Sequence, residues 1–360
     1  MNSFSDTKSY LRPLGFIPKE IGVKLQKNND AMCINDNFYT CIELIKKKKN
    51  EILKKQFTIS DFHFFIKKKN KIQDLLNSLL KKKKTFLNNK NLIKTNKNHI
   101  IFSILNLTPD SFSDGGENLN TKKNFNKGIQ MIKDGADFID IGGESTRPGA
   151  NKVDSADELI RILPTIQLLD SANIKMSLDT RNSSTMELGI LSGIKIINDV
   201  SALSNDKKSI EIIKKYNVPI ILMHMPGNPK NMMKNNKYFD VTLDVYNYLE
   251  ERIIFCEKNG ISRSNIIIDP GIGFGKDFKQ NISLMKNLSI FHTLMCPIML
   301  GISRKRFISA ISKDCEPKDR LGGTISSTLL ALSQGIQIHR VHDVKESRQA
   351  IDIFENVNQK

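Results

Sequence analysis

The chain has 360 residues, enough for one large domain with an appendage or for two ordinary domains, and it can build a sizeable core without disulfides or metals. The net charge of +17 first suggests a nucleic-acid partner, but residues 1–98 carry 22 Lys and Arg against 8 Asp and Glu, while residues 99–360 carry 33 against 30. Arg is the basic residue that favours specific phosphate contacts, and the first segment contains only one. We therefore interpret the Lys runs as a compositional bias and expect no nucleic-acid partner.

The five cysteines are scattered along the chain. They form no C-x-x-C pair, and their odd number fits no closed disulfide framework, so a reducing compartment is expected. No apolar run approaches the ~18 residues of a membrane span, and the N-terminus lacks the apolar stretch of a signal peptide. We expect a cytoplasmic protein with no membrane partner.

Residues 1–98 are predicted to form a separate, mainly helical extension. Apolar positions recur near helical spacing in residues 38–56 and 61–82, with Lys on the remaining face, which predicts two short helices. A polar linker follows at Asn88–Asn98. The expected boundary therefore separates a basic extension, residues 1–98, from a catalytic domain, residues 99–360.

From residue 100 onwards, short apolar runs recur and each ends in polar residues or glycine. The eight runs are Ile100–Leu105, Phe138–Ile141, Ile174–Leu178, Ile194–Ile197, Pro219–Met223, Ile266–Ile268, Pro297–Leu300 and Ile336–Val341. Segments with helical spacing lie between them, for example Asp157–Leu169, Val241–Lys258 and Gly322–Leu332. Continuous apolar strands that alternate with helices predict a buried parallel sheet. Eight such units in this length favour a (β/α)8 TIM barrel over a doubly wound open sheet.

The active site of such a barrel lies at the C-terminal ends of its strands, so the residues that follow the runs are the candidates. They are Asn106, Asp140, Asp179, Asn198 with Asp199, His224, Asp269, Ser303 with Lys305, and Arg340 with His342. A lone Asp at a strand end usually caps a helix or bonds to a loop. A group of them around one mouth instead indicates a binding site.

The candidates divide by charge. Carboxylates and amides suit a ligand rich in N–H donors, such as a pterin or a guanine-like ring, and this predicts a role for Asp140, Asp179, Asn198 and Asp269. Arg340 and His342 are two apart on a strand, point to the same side, and with Asn106 suit a phosphate or pyrophosphate; a structural histidine is an equal alternative for His342. His224 stands between two Met residues and is expected to pack in the barrel wall.

Residues 271–276 read Gly-Ile-Gly-Phe-Gly-Lys and resemble phosphate-binding motifs without satisfying them. Pro270 and Asp277 occupy positions where a P-loop requires Gly and Ser or Thr, and Lys276 stands where a dinucleotide fingerprint requires Gly. The segment is predicted to be a rim turn that lets Phe274 face a ligand. The sequence contains neither a Cys/His cluster with zinc spacing nor a nucleophile elbow.

The rim segments together resemble the dihydropteroate synthase family. They are Leu105–Gly116, Asp140–Gly149, Ile197–Asp199, Asp269–Lys276, Ser303–Arg306 and Arg340–Asp343, within a resemblance that covers about residues 100–357. The resemblance implies a (β/α)8 barrel, usually a homodimer. It also implies Mg2+ and the condensation of 6-hydroxymethyl-7,8-dihydropterin pyrophosphate with 4-aminobenzoate, which forms 7,8-dihydropteroate and pyrophosphate.

The resemblance also implies roles for individual residues. Those lining the pterin pocket would be Asp140, Asp179, Asn198, Asp269 and Lys305. Asn106 would bind Mg2+ and, with Arg340 and His342, the pyrophosphate. The loops after the first two strands would close over the site through Asp110, Phe112, Thr146, Arg147 and Pro148. The residues lining the aminobenzoate pocket would be Phe112, Pro148, Phe274 and Lys305.

Two positions depart from the family pattern. Arg181 follows Asp179-Thr180 where many members carry a small or uncharged residue, and Arg306 stands where many have Ser. The extension lacks the acidic motif of the pyrophosphokinase that is fused to some members. The alternatives are a methyltetrahydrofolate-dependent corrinoid methyltransferase on the same scaffold, and a silent or nucleic-acid-tethered pterin-binding paralogue.

Overall fold

The computed structural model describes residues 7–34, 36–49, 51–67, 69–80, 99–107, 117–145, 147, 149–150, 153–313 and 315–358, which form a small N-terminal sheet with helices and a large barrel. Of the predicted site residues, Asp110, Phe112, Thr146 and Pro148 lie outside these ranges. Within the ranges, no helix combines the length and the apolar character needed to cross a membrane.

The N-terminal part is built on a four-stranded antiparallel sheet. Its strands are β1 (Thr7–Ile17), β2 (Met32–Ile34), β3 (Asn37–Lys48) and β4 (Glu51–Thr58), and its helices are α1 (Lys19–Lys27), α2 (Ile59–Ile66) and α3 (Asn70–Leu80). The long strand β3 pairs with β1, β2 and β4. One face of the sheet packs against α2 and α3, which buries an apolar cluster that includes Ile42, Leu44, Phe62 and Leu76.

The prediction for residues 38–56 is therefore wrong, whereas helices do form in residues 61–82. Residues 38–56 belong to β3 and β4, and the extension is a mixed sheet-and-helix unit rather than a mainly helical one. Periodicity over a short apolar run does not separate a helix from a strand that is buried on both faces. The β-branched and aromatic residues of β3 favour a strand, and its long pairing with β1 decides the outcome.

The barrel follows. Its parallel strands are β5 (Ile100–Asn106), β6 (Phe138–Gly142), β7 (Met176–Asp179), β8 (Ile196–Asp199), β9 (Ile220–Met223), β10 (Ile266–Asp269), β11 (Met299–Leu300) and β12 (Ile338–Val341). They form an eight-stranded sheet in the order β10-β9-β8-β7-β6-β5-β12-β11, and a parallel bridge from Ile268 to Ile298 joins its two ends. Each strand overlaps one predicted apolar run, so the predicted (β/α)8 barrel is confirmed.

Helices alternate with these strands around the outside. They are α4 (Glu117–Lys133), α5 (Ser155–Ser171), α6 (Ser183–Leu191), α7 (Ser209–Tyr216), α8 (Val241–Lys258), α9 (Phe278–Lys286), α10 (Arg306–Ile311), α11 (Leu321–Leu332) and α12 (Val344–Asn358). Short 3-10 turns lie at Arg263–Asn265, Leu288–Leu294 and Pro317–Asp319. Asp277, which breaks the P-loop pattern, begins α9 as its N-cap and forms a capping box with Gln280.

The interior of the barrel changes from apolar to polar along four of its strands. A buried cluster inside the barrel comprises Ile100, Phe102, Phe138, Ile196, Ile221, Ile267, Met299 and Ile338. Successive side chains of a strand alternate between its two faces, so the residue two positions later faces the same interior. On four of these strands that residue is polar, namely Asp140, Asn198, Asp269 or Arg340. The apolar cluster therefore forms a closed floor, and the polar residues form the layer above it.

The extension docks on the outer surface of the barrel. Ser289 donates a hydrogen bond from its hydroxyl to the carbonyl of Pro13 over 2.7 Å, and the ring of Tyr10 meets that of Tyr246 edge-on at 5.1 Å between centroids. Arg12 forms an ion pair of 2.9 Å with Glu43 and also contacts Asn287. The two parts are thus joined by both apolar and polar contacts.

Candidate active site

Strand pairing brings the predicted residues to one level of the barrel mouth. Asn106 of β5 pairs in register with Gly142 of β6, Gly142 with Asp179 of β7, and Asp179 with Asn198 of β8. Gly142 carries no side chain, and a Cβ atom there would lie 3.6 Å from Asn106 Oδ1 and 3.5 Å from Asp179 Cβ. A Cβ atom at Gly142 would therefore fit between Asn106 and Asp179 at ordinary van der Waals distance from both. Their convergence follows directly from parallel pairing.

Arg340 connects two of the carboxylates across this mouth. Its Nε donates to Asp140 Oδ2 at 2.5 Å, and its Nη2 donates to Asp179 Oδ2 at 2.8 Å. Asp140 also accepts hydrogen bonds from Ser177 Oγ at 2.6 Å and from Asn198 Nδ2 at 3.1 Å. The side chain of Asp140 is fully buried, so these partners compensate for the loss of water. Arg340, which the sequence predicts to bind a phosphate or pyrophosphate, thus neutralises two carboxylates of the barrel mouth.

Burial shifts the pKa values of the remaining carboxyls upward. It raises the pKa of Asp179 to about 7, an effect that Arg340 opposes and that neighbouring Asp140 adds to. It also raises the pKa of Asp269, whose Oδ1 accepts the backbone N–H of Gly271 at 2.7 Å. A carboxyl whose pKa lies near neutrality can change its charge when a ligand binds.

Lys305 lies between the carboxylates and the predicted rim turn. Burial, helped by the charge of Arg340, lowers its pKa to about 8, against the attraction of Asp269. Its Nζ lies 4.1 Å from the centre of the Phe274 ring. Gly273 has a φ of +81°, and a Cβ atom there would come within 2.9 Å of Lys305 Cδ. Glycine therefore gives the lysine room to reach the mouth.

Lys276 holds the rim turn through hydrogen bonds to its backbone carbonyls. The sequence pattern predicts no role for this residue. Its buried Nζ contacts the carbonyls of Gly271 at 2.8 Å and Phe274 at 2.9 Å, and His224 Nδ1 at 2.9 Å. His224 is itself buried against the ring of Tyr248, with 4.8 Å between centroids. Its predicted place in the wall is confirmed. A buried lysine among carbonyls leaves a weak sequence signal, because surface lysines look the same.

His342 lies just beyond β12 and is held by Ser303. Ser303 Oγ is 3.2 Å from the backbone nitrogen of His342 and 3.0 Å from its Nδ1. Burial, together with Arg304 and Arg340, lowers the pKa of His342 to about 3, so the ring is neutral at pH 7. With Nδ1 facing the hydroxyl of Ser303, its Nε2 is the position that can carry the N–H donor.

Other predicted cations do not join this group. Arg304 has a left-handed φ of +58° and turns away to form an ion pair with Asp343. Arg147 is exposed on the loop after β6, where its carbonyl accepts the backbone N–H of Ala150 at 3.0 Å. In the described ranges no group of three or more His, Cys, Asp or Glu residues could hold a metal ion. Asn106 is exposed at the end of β5.

Comparison with known proteins places the barrel among characterised enzymes. A family model described as "Pterin binding enzyme" matches residues 102–342. Dihydropteroate synthase of Escherichia coli strain K12 is 40% identical over 256 residues, which cover 71% of this chain and 90% of that relative. Dihydropteroate synthase of Neisseria meningitidis serogroup B is 41% identical over 261 residues, with 71% and 91% covered.

Solved structures show the same similarity. Xanthomonas albilineans dihydropteroate synthase with 4-aminobenzoic acid has a TM-score of 0.68 and 36% identity, covering 73% of this chain and 93% of that one. The same enzyme in complex with 7,8-dihydropteroate has a TM-score of 0.65 and 34% identity, covering 73% and 94%. Yersinia pestis dihydropteroate synthase with a sulfonamide drug has a TM-score of 0.68 and 37% identity, covering 72% and 94%.

Proposed function

The chain belongs to the family of pterin-binding enzymes, in which it is a dihydropteroate synthase, and we propose how its own residues carry out that reaction. The reaction joins 6-hydroxymethyl-7,8-dihydropterin pyrophosphate to 4-aminobenzoate and releases pyrophosphate, a step of folate biosynthesis. The names of the relatives favour this activity over the methyltransferase alternative. The observation that carries the assignment of roles is the convergence of three buried carboxyls with Arg340 and Lys305 at one barrel mouth.

The pterin occupies the layer above the apolar floor. Its ring N–H groups donate to Asp140, Asp179 and Asp269, and Asn198 supplies both a donor and an acceptor. Buried carboxylates select such a ligand because an unmatched polar group would remain unpaired. The pterin N–H groups take the place of Arg340 on Asp140 and Asp179, and Arg340 then donates to the pyrophosphate.

The leaving group is bound by residues at the ends of β5 and β12. Arg340 donates to the pyrophosphate, and the neutral ring of His342 offers its Nε2–H beside it. Asn106, exposed at the end of β5, provides a hard amide oxygen that suits Mg2+, an ion that commonly takes its remaining ligands from substrate phosphates and water. Held by Asn106, Mg2+ would supply charge neutralisation for the pyrophosphate as leaving group.

The 4-aminobenzoate approaches from the rim. Lys305 and Phe274 frame one side of its pocket. By resemblance to the family, Phe112 and Pro148 are assigned to the same pocket, and Asp110, Thr146 and Arg147 to the catalytic groups. Lys305 thereby stands between the pterin and the arylamine, and its pKa of about 8 leaves it mostly protonated at neutral pH.

Catalysis then depends on positioning and electrostatics. An arylamine is weakly basic, so it is neutral and nucleophilic at pH 7 and needs no strong general base. The conjugated pterin spreads the positive charge that develops as the pyrophosphate departs, and Asp140 and Asp269 favour that charge. Holding the amine against the methylene carbon converts a bimolecular step into an effectively unimolecular one.

We propose a homodimer formed through α11 and α12. These helices border a groove of about 490 Å³ lined by Leu321, Ile325, Leu329, Ala350, Ile353, Phe354 and Val357, among others. Leu330, Ile353 and Val357 are exposed by 60%, 59% and 73%. Adjacent exposed apolar side chains of this size are typical of a protein interface.

The remaining assignments concern domains, location and inhibition. We propose residues 99–360 as the catalytic domain and residues 1–98 as an extension that binds no nucleic acid. A cytoplasmic location is supported by the five cysteines, which are free thiols. Sulfonamide binding is proposed from the complex of the Yersinia pestis enzyme. Arg306, which departs from the family pattern, is exposed at the start of α10 and directly follows Lys305.

Turnover is the decisive experiment. The purified chain is incubated with the pterin pyrophosphate, 4-aminobenzoate and Mg2+, and dihydropteroate is measured beside Asp269→Asn and Arg340→Ala. We expect product from the wild type and large losses in both variants, because one removes a pterin acceptor and the other a pyrophosphate donor. Pterin binding without product would instead identify a silent pterin-binding paralogue.

A further inference from the structure

The carboxylate of Glu144 lies at the base of the loop between β6 and α5. Its Oε1 accepts hydrogen bonds from Arg181 Nη2 at 2.8 Å and from the backbone nitrogen of Val153 at 3.0 Å. Its Oε2 accepts Arg181 Nε at 3.0 Å. The side chains of Arg181 and Glu144 are only 7% and 3% exposed. The pair is therefore a buried, bidentate ion pair rather than a solvated surface contact.

These contacts join both ends of one loop. Glu144 lies two residues after the end of β6, and Val153 lies immediately before Asp154, the N-cap of α5. A single carboxylate thus closes the base of the segment 144–153. On its far side, the backbone N–H of Gly149 donates to the carbonyl of Pro229 at 3.0 Å. The loop is anchored at its base by a side chain and at its tip by backbone.

The turn after β7, which supplies Arg181, is itself held firmly. The carbonyl of Arg181 accepts Asn205 Nδ2 at 3.2 Å. On either side of Arg181, Thr180 Oγ1 and Asn182 Nδ2 donate to Glu158 Oε2 on α5 at 3.0 and 2.8 Å. Arg181 is therefore a rigid donor, and it lies two residues beyond Asp179 of the pterin site. Its guanidinium therefore links the end of β7 to Glu144 at the start of the loop after β6.

The geometry distinguishes this pair from a generic buried ion pair. A buried pair contributes little net stability compared with apolar residues of the same volume, so stability alone does not account for it. Two parallel N–H donors fix the orientation of a carboxylate, which a single ammonium does not. The carboxylate being oriented is that of Glu144, which bonds in turn to the backbone of Val153 at the other end of the loop.

We propose that Arg181 is a positioning residue, which acts through Glu144 to hold the two ends of the loop between β6 and α5, Glu144 and Val153, in the arrangement that receives 4-aminobenzoate. The proposal rests on the proposed function, because the loop is assigned to the arylamine there. Arg181 touches no substrate. Its effect should fall on the second substrate and spare the pterin, because Asp140 of the pterin site is held by Ser177 and Asn198.

The test combines Arg181→Met, Arg181→Lys and Glu144→Gln with three measurements. In Arg181→Met the KM for 4-aminobenzoate should rise about tenfold or more, because a misplaced loop loses orientation of the amine. The Kd of 7,8-dihydropterin without pyrophosphate should change less than about twofold, since the pterin site is intact. Hydrogen exchange of residues 144–153 should accelerate. Arg181→Lys should restore part of each loss, because one ammonium still reaches one carboxylate oxygen.

The matched control is Arg12→Met. Arg12 and Glu43 form an ion pair of comparable burial, 12% and 5% exposed, between strands β1 and β3 of the extension sheet. This variant should lower the melting temperature without separating the aminobenzoate KM from the pterin Kd. The proposal would be overturned by any of three results. Arg181→Met could weaken the binding of both substrates equally, or Arg12→Met could show the same kinetic pattern as Arg181→Met. The third such result is unchanged hydrogen exchange of the loop in Arg181→Met. Should the wild type form no product, the proposed function fails while hydrogen exchange still decides whether Arg181 holds the loop.

Discussion

Among single residues, Asp179 has the property with the clearest functional consequence, which is the raised pKa of its carboxyl. Burial raises its pKa from 3.8 to about 7, and Arg340 keeps the pKa from rising further. Because the folded state binds this proton more tightly than the unfolded chain, the contribution to stability of the unliganded protein is full below pH 3.8 and is lost as the pH rises through about 7. Ligand binding has the opposite sign, since pterin N–H donors require the ionised carboxylate.

We therefore predict that pterin affinity falls as the pH falls through about 7. Below that value the Kd of 7,8-dihydropterin should rise by about tenfold per pH unit, because one proton competes with the ligand. The measurement is a titration series from about pH 5.5 to about pH 8.5, over which the pKa shift separates the two protonation states. Asp179→Asn should bind more weakly and lose this dependence; an unaltered pH profile in that variant would refute the assignment.

At the scale of elements, the polar barrel mouth arises because successive side chains of a strand point to opposite faces. Phe138 and Asp140, Ile267 and Asp269, and Ile338 and Arg340 are pairs two residues apart on one strand, so one member forms the floor and the other the site. The sequence pattern contains this information, which is why the strand-end candidates converge as predicted. The rim turn differs, because its shape depends on Gly271, Gly273 and Gly275 at positive φ and on a buried lysine beneath them.

Gly273→Ala tests that turn. A Cβ atom at a φ of +81° would be strained and would lie 2.9 Å from Lys305 Cδ, so we expect a loss of about 1–2 kcal/mol in unfolding free energy and weaker binding of 4-aminobenzoate. Gly322→Ala is the control, since no atom lies within 4 Å of a Cβ atom at that position in α11. The control should be neutral or stabilising by up to about 1 kcal/mol. Equal effects of the two variants in urea unfolding would count against a steric role for Gly273.

In the molecule as a whole, Arg12 of β1 forms an ion pair with Glu43 of β3 inside the extension and also contacts Asn287 of the barrel. Arg12→Met leaves Glu43 buried without its cation, so we expect a loss of about 3–5 kcal/mol of unfolding free energy. The double variant Arg12→Met/Glu43→Met should recover most of that loss, because apolar replacements of a buried pair are often neutral. Denaturant unfolding of the single and double variants measures both; a double variant as unstable as the single one would contradict this explanation.

The apolar face of α11 and α12 leads to a prediction about assembly. Ile353→Glu places a charge on the proposed interface and should convert the dimer into a monomer in sedimentation equilibrium. Leu53→Glu is the matched control, because Leu53 on the extension is equally exposed, at 59%. It should leave the molecular mass unchanged. A monomeric wild type, or dissociation of both variants alike, would exclude this interface.

The sequence by itself determined the barrel and the members of its mouth. Parallel strands buried on both faces must be apolar, and their polar ends meet at one rim, so both features are local. Only the tertiary structure decided that residues 38–56 are strands, that Arg340 holds Asp140 and Asp179, and that Arg181 holds Glu144. Each of these depends on a partner distant in the chain, and spacing within a segment carries no information about a partner that lies outside it.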